Sequence, residues 1–205
     1  MAVAKAERRS QAERRDEAEQ RLLAAAVRLV AERGLERFTL ADVGEAAGYS
    51  RGLPAHYFGS KSGLIVTLAG HLVEAFGRAL DRTEHHGLGL HRLLGTVAFY
   101  FDSARKDPMG TRALFVVLGD GLSNGLISGQ LAALNARSAK TFEANIRAAI
   151  AAGEARPDID AKAMGILVLA SLRGAVGLWL LGPDEIDLDA VRDEFVQSLT
   201  RSLAP

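Results

Sequence analysis

The chain has 205 residues, enough for one large domain or for a small domain joined to a medium one. Apolar residues make up 48% and charged residues 24%, which excludes collagen-like repeats and disorder as the dominant state. Cysteine is absent, so thiolate metal sites, cysteine nucleophiles and disulfides are excluded, and a reducing compartment fits.

Twenty-five basic and 25 acidic residues cancel, so no global field points to a nucleic acid or a membrane surface. Residues 1–67 carry 11 Lys and Arg against 9 Asp and Glu. A nucleic-acid reading must therefore rest on local placement.

Val3 to Arg15 is charged and Ala-rich without apolar periodicity, which predicts a flexible tail over residues 1–15. No apolar stretch follows its charges, so it does not read as a secretory signal, and a cytoplasmic protein is expected. Lys5, Arg8, Arg9, Arg14 and Arg15 are candidates for a minor-groove arm, but Glu7, Glu13, Asp16 and Glu17 dilute their charge and favour a solvated tail. Leu22, Leu23, Ala26, Val27 and Val30 then form one face of a helix expected from Asp16 to Arg33, stopped by Gly34.

Thr39 and Asp42 have the spacing of a capping box opening a short helix, Leu40 to Ala47. Gly48 supplies the positive φ of a tight turn, and Ser50 is placed to cap a third short helix reaching Phe58. Two short helices across Gly48-Tyr49-Ser50 read as a helix-turn-helix, with Gly44 small enough to let them approach closely.

Longer amphipathic helices follow. Leu64, Leu68, Leu72, Phe76 and Leu80 make one stripe, and Leu90, Leu93, Val97 and Phe101 another. Pro108 and Gly119–Gly129 punctuate the middle, and Leu131, Leu134, Phe142, Ile146 and Ile150 predict a long helix closed by Gly153. Ala163 to Leu181 is 19 residues with the single charge Arg173. It has the length of a membrane span, but Arg173 near its middle and acidic flanks favour a helix buried in a core or a subunit interface. Gly182-Pro183 ends it, and a last helix carries Leu188, Val191, Phe195 and Leu199 on one side. No run has the period of two of a strand, so the chain is expected to be all-α with about nine helices.

The run Ala47-Gly48-Tyr49-Ser50-Arg51-Gly52, then His56-Tyr57-Phe58-Gly59-Ser60-Lys61, resembles the DNA-binding signature of TetR/AcrR-type transcriptional regulators. Ala31-Glu32-Arg33-Gly34 and Phe38-Thr39-Leu40-Ala41-Asp42-Val43 are similar to the same family's first helix end and second helix, and the resemblance covers residues 20–66. Two positions depart from the family pattern: Pro54 stands where a Leu or Ile is usual, and Ala55 where a Tyr is usual. Proline in the first turn costs at most the first helical hydrogen bond, and it biases Leu53 toward extended angles and a later helix start.

A recognition helix presents its N-terminal residues to base edges while neighbouring helix ends grip phosphates. Arg51 and His56 are accordingly the expected base-reading side chains, and Gly52 and Ala55 allow close approach or contact with a thymine methyl. Thr39, Tyr57 and Lys61 are the expected phosphate contacts.

Gly121-Leu122-Ser123-Asn124-Gly125 has the G-x-S-x-G pattern of a hydrolase nucleophile, but no histidine follows residue 91 to serve as base, so a helix connection is favoured. Glu84, His85, His86 and His91 cluster without helical i,i+4 spacing, which favours a solvated loop over a metal site. Phe99, Tyr100, Phe101, Phe115, Phe142 and Trp179 are candidates to line an effector cavity, or are plain core. Arg173 needs a partner in so apolar a helix, and a twin subunit is preferred to a ligand.

The expectation is a DNA-binding domain over 16–66 and a helical effector-binding and dimerisation domain over 67–205. Arg173, Val176, Leu180, Val191, Phe195 and Leu199 are its expected dimer contacts, because the resemblance implies that the last two helices pair with a second chain. The implied function is a homodimeric repressor, released from a palindromic DNA operator by a small, largely apolar effector. No catalytic set, cofactor or metal is expected, and no membrane partner. The alternatives are a helical small-molecule-binding protein or enzyme that keeps the helix-turn-helix only as a fold, and a membrane-associated protein built on residues 163–181.

Overall fold

The computed structural model describes residues 11–82 and 87–205, and these are all-α, with no strand among them. The described helices are α1 (Gln11–Arg33), α2 (Leu40–Ala46), α3 (Leu53–Phe58), α4 (Lys61–Leu80), α5 (Leu90–Lys106), α6 (Pro108–Asp120), α7 (Gly125–Ala151), α8 (Ala161–Leu181) and α9 (Leu188–Leu203). Lys5, Arg8 and Arg9 of the expected tail, and Glu84, His85 and His86 of the acid and histidine cluster, lie outside the described residues.

The chain is already helical at Gln11, which corrects the expectation of a tail reaching Arg15. Periodicity is silent over residues 11–16 because every one of them is exposed. This stretch is carried by strong helix formers, with burial starting at Ala18.

Gly34 ends α1 at φ +71°. The capping box is formed as its spacing predicts: the Asp42 amide donates to Thr39 Oγ1 at 3.2 Å, and the Thr39 amide donates to Asp42 Oδ2 at 2.7 Å. That amide holds the Asp42 carboxyl below its ordinary range. Gly48 has φ +77°, and the Tyr49 amide closes the turn on the Gly44 carbonyl at 2.8 Å.

The third helix begins at Leu53 instead of just after Ser50, with Gly52 in the capping position and no side-chain cap. Ser50 to Leu53 is instead a turn closed from the Leu53 amide to the Ser50 carbonyl at 3.1 Å. Pro54 sits in the first turn, where a missing N–H leaves no bond unmade, and its ring is buried.

Two apolar clusters hold the described residues together. The first joins Leu22, Ala26 and Val30 of α1 with Val43, Phe58 and the Leu64–Leu68 end of α4, and extends to Ala113 and Val117 of α6 and Ile127 and Leu131 of α7. It therefore crosses the boundary expected at residue 66. The second joins α5, the later turns of α7, α8 and α9 around Phe101, Ile146, Leu172 and Leu203.

Helices α7 and α8 form the most extensive helix pair. At Gly165 a Cβ would stand 2.8 Å from the Glu143 nitrogen and 2.9 Å from the Ala139 oxygen, so the two backbones nearly touch. Among the described residues, α4 and α8 are long and apolar enough to cross a membrane by length and composition.

The outward face of α8 differs from expectation. Val176, Leu180 and Leu199 are buried in this chain's own core, so they do not await a second chain. Arg173 points inward as well, and its Nη1 donates to Asn135 Oδ1 at 2.7 Å. Val191 and Phe195 are half-buried at the edge of the second cluster. The large apolar residues that α8 does expose are Ile166, Leu167, Leu178 and Leu181, between 51% and 86% accessible. Uniform apolarity hides which stripe faces inward, and the close backbone approach at Gly165 sets it.

Candidate nucleic-acid interface and internal cavity

Helix α3 turns Pro54 and Phe58 inward and leaves Ala55 and His56 exposed, continuous with exposed Arg51 and Gly52 of the preceding turn. Four of the seven predicted DNA-contact residues thus share one surface. Arg51 lies before α3, its Nη1 3.2 Å from Glu45 Oε1, in an ion pair so exposed that it holds the guanidinium only loosely.

Thr39 is exposed at the α2 N-terminus, with its hydroxyl engaged by the capping box. The Lys61 Nζ lies 4.7 Å from the centre of the Phe38 ring, at the start of α4. The Tyr57 hydroxyl donates to the Arg15 carbonyl at 3.2 Å, and the Arg15 guanidinium lies 5.9 Å from the centre of the Tyr57 ring. Tyr57 therefore braces α3 against α1, and Arg15 adds a cation to this surface. Arg15, one of the minor-groove-arm candidates expected in a solvated tail, thus lies within α1 against Tyr57.

Gly44 is buried where α2 meets α3. A Cβ there would lie 2.5 Å from the Ser50 carbonyl oxygen and 3.2 Å from Pro54 Cδ. The Pro54 ring fills the notch over Gly44, which accounts for an apolar residue at this position.

Between α4, α5, α6, α7 and α8 lies a cavity of about 700 Å³. Phe99, Tyr100 and Phe142 of the predicted set line it, joined by Phe76, whose ring centre is 5.3 Å from that of Phe99 and 5.5 Å from that of Tyr100. Phe101, Phe115 and Trp179 do not line it. Phe101 is buried edge-on to Phe195, Phe115 lies against Gly177, and Trp179 packs on the second cluster. Helical position separates the two groups: Phe99 and Tyr100 face α4, while Phe101 is turned toward α9.

Arg173, expected at a subunit interface, lines this cavity. Burial pushes the Tyr100 phenol up, and the charge of and hydrogen bond from Arg173 pull it partly back. Asp81 and Arg92 pair at 2.7 Å on the same wall.

The G-x-S-x-G run forms the α6–α7 connection, where the Ser123 hydroxyl donates to the Asp120 carbonyl at 3.3 Å. Among the described residues, no three His, Asp or Glu side chains converge on a metal position.

Residues 22–68 match the family model of bacterial regulatory proteins of the tetR family. The helix-turn-helix-type transcriptional regulator BetI of Brucella suis is 34% identical over 85 residues, which are 41% of this chain and 43% of that protein. The matched region thus spans about two fifths of that relative's length. Over nearly the whole length the fold matches solved structures. A candidate TetR-family regulator of Rhodococcus sp. superposes with a TM-score of 0.83 at 20% identity, covering 92% of this chain and all of that one. A candidate transcriptional regulator of Saccharomonospora viridis, solved in complex with choline, gives 0.79 at 20% identity, covering 93% and 99%.

Proposed function

The chain belongs to the TetR family of bacterial regulatory proteins, and from that premise we propose that it is a homodimeric, cytoplasmic transcriptional repressor without enzymatic activity. In this reading residues 16–66 bind a palindromic operator, and residues 67–205 hold a small effector and the dimer contacts. Arg51, Gly52, Ala55 and His56 face the bases, while Thr39, Lys61 and Arg15 hold phosphates.

The observation that carries the proposal is the shared wall between cavity and DNA-binding core. Helix α4 lends Leu72, Val73 and Phe76 to the cavity and Leu64, Ile65 and Leu68 to the first cluster. Helix α6 does the same with Leu114 on one side and Ala113 and Val117 on the other. A ligand that fits only when α4 and α6 move would tilt both helix-turn-helix units of a dimer. It shifts the equilibrium by its difference in affinity for the two arrangements. The choline-bound neighbour supports a small-molecule effector in this fold.

The test is fluorescence anisotropy of the purified chain against DNA flanking its own gene, at two salt concentrations. Specific binding is expected, weakening steeply with salt as phosphate contacts release counterions. Arg51→Ala and His56→Ala should each cost about 1–3 kcal/mol and relax sequence preference. If a genome-wide selection of bound fragments also finds no preferred site, the regulator reading fails.

A further inference from the structure

The aromatic wall of the cavity, Phe76, Phe99, Tyr100 and Phe142, could in principle cage a cation. Its charges argue the opposite. Among the described residues the acidic groups on the wall are Asp81 and Asp107, and both are engaged. Asp81 pairs with Arg92 at 2.7 Å, and Asp107 Oδ1 accepts from the Gly110 amide at 2.9 Å as the cap of α6.

Arg173 is different. Among the described residues it forms no ion pair. Its Nη1 donates to the neutral Asn135, the Tyr100 hydroxyl accepts from the same guanidinium, and its Nε is buried with no hydrogen-bond partner among the described residues. Nε shares an edge of the guanidinium with Nη2, the edge whose parallel N–H groups match two carboxylate oxygens. A buried guanidinium N–H left without an acceptor is costly, and of the acceptors that remove the cost an anion binds most strongly, because the bond is charge-assisted and can be bidentate.

The cavity is also long. It follows α5 from Arg92 to Lys106, about 20 Å at 1.5 Å per residue. Between its charged ends the wall is mostly Leu, Val, Ala and Phe.

Building on the effector reading above, we propose that the cavity takes an elongated apolar carboxylate, its headgroup held by Arg173 beside Tyr100 and its hydrocarbon along the Phe76–Phe99–Phe142 wall. The chain is then a sensor of aliphatic or arylaliphatic acids, and quaternary ammonium compounds are disfavoured by the cation inside.

Isothermal titration calorimetry of the full chain tests this, with n-alkanoates of 8 to 16 carbons, the n-alcohols of matching length, and decyltrimethylammonium, all below their micellar concentrations. The best alkanoate is expected to bind roughly tenfold to a hundredfold more tightly than its alcohol, as a charge-assisted bond predicts. Decyltrimethylammonium is expected to bind most weakly. In Arg173→Met the acid-to-alcohol ratio should fall toward one, and in Arg173→Lys it should be partly kept. Circular dichroism melting checks that both variants fold, and the wild-type ratio stands without them. Equal affinity of acid and alcohol in the wild type, or a preference that survives Arg173→Met, overturns the proposal and leaves the effector cavity standing. If neither acid nor alcohol binds at any length the proposal falls, and binding of decyltrimethylammonium alone would overturn it while leaving the effector cavity standing.

Discussion

Gly44 shows how one missing side chain sets the angle of a reading head. The Ser50 carbonyl oxygen occupies the space a methyl group would need, and backbone cannot step aside as a flexible side chain can. Gly44→Ala should lower stability by about 1–3 kcal/mol in urea unfolding, because α2 and α3 must part. Gly52→Ala is the control. Nothing lies within 4 Å of its Cβ position, so its stability should stay within about 0.5 kcal/mol of wild type. Pro54 belongs to the same joint, since its ring closes the notch from the other side.

Among the elements, α8 is held by close approach on one side and left open on the other. Gly165 lets it lie against the α7 backbone, so Gly165→Ala should destabilise the chain by about 1–3 kcal/mol in thermal or urea unfolding. Gly129→Ala, at an open and exposed position of α7, should instead raise stability by up to about 1 kcal/mol through helix propensity. Helix α9 is clamped to α5 by charge. Arg192 reaches Asp102 at 2.7 Å and Asp189 at 3.0 Å, while Arg105 reaches Asp189 at 2.5 Å. Hydrogen bonds to Asp193 first and then to Asp102 hold the Arg192 guanidinium well above its ordinary pKa. Glu154 ties the α7–α8 connection to the start of α5 by accepting from the Leu90 amide at 2.9 Å.

At the scale of the whole molecule, the open side of α8 bears on assembly. Leu167 lies with Phe195 in a groove between α8 and α9, and Leu178 and Leu181 continue the exposed apolar face. Patches of this kind on water-facing proteins mark interaction surfaces. If the proposed dimer forms here, the double variant Leu167→Glu, Leu178→Glu should weaken it at least about a hundredfold, given about 1.5–3 kcal/mol for each buried leucine. Sedimentation equilibrium is the check: a wild-type dimer and a variant monomer are expected. Helical content should be unchanged, because both side chains are exposed in the single chain.

Local chemistry made much of this readable from the residues in order. The capping box, the positive φ at Gly34, Gly48 and Gly153, and the ends of the long helices depend on neighbours within a few positions. The helix-turn-helix and the all-α class followed from such local marks. The start of α1 was missed because exposed helix carries no burial pattern, and the later start of α3 reflects the turn that Ser50 to Leu53 forms before Pro54. Which of three consecutive aromatics, Phe99, Tyr100 and Phe101, faces the cavity depends on where α4 and α9 lie, and no spacing within α5 contains that. Arg173 is the sharpest case. Its place in an apolar helix announced that it needs a partner, but the sequence carries no sign of direction in a helix apolar on every side. The fold decided it, because Gly165 seats α8 on α7 and thereby turns the guanidinium into the chain's own cavity, away from the open face.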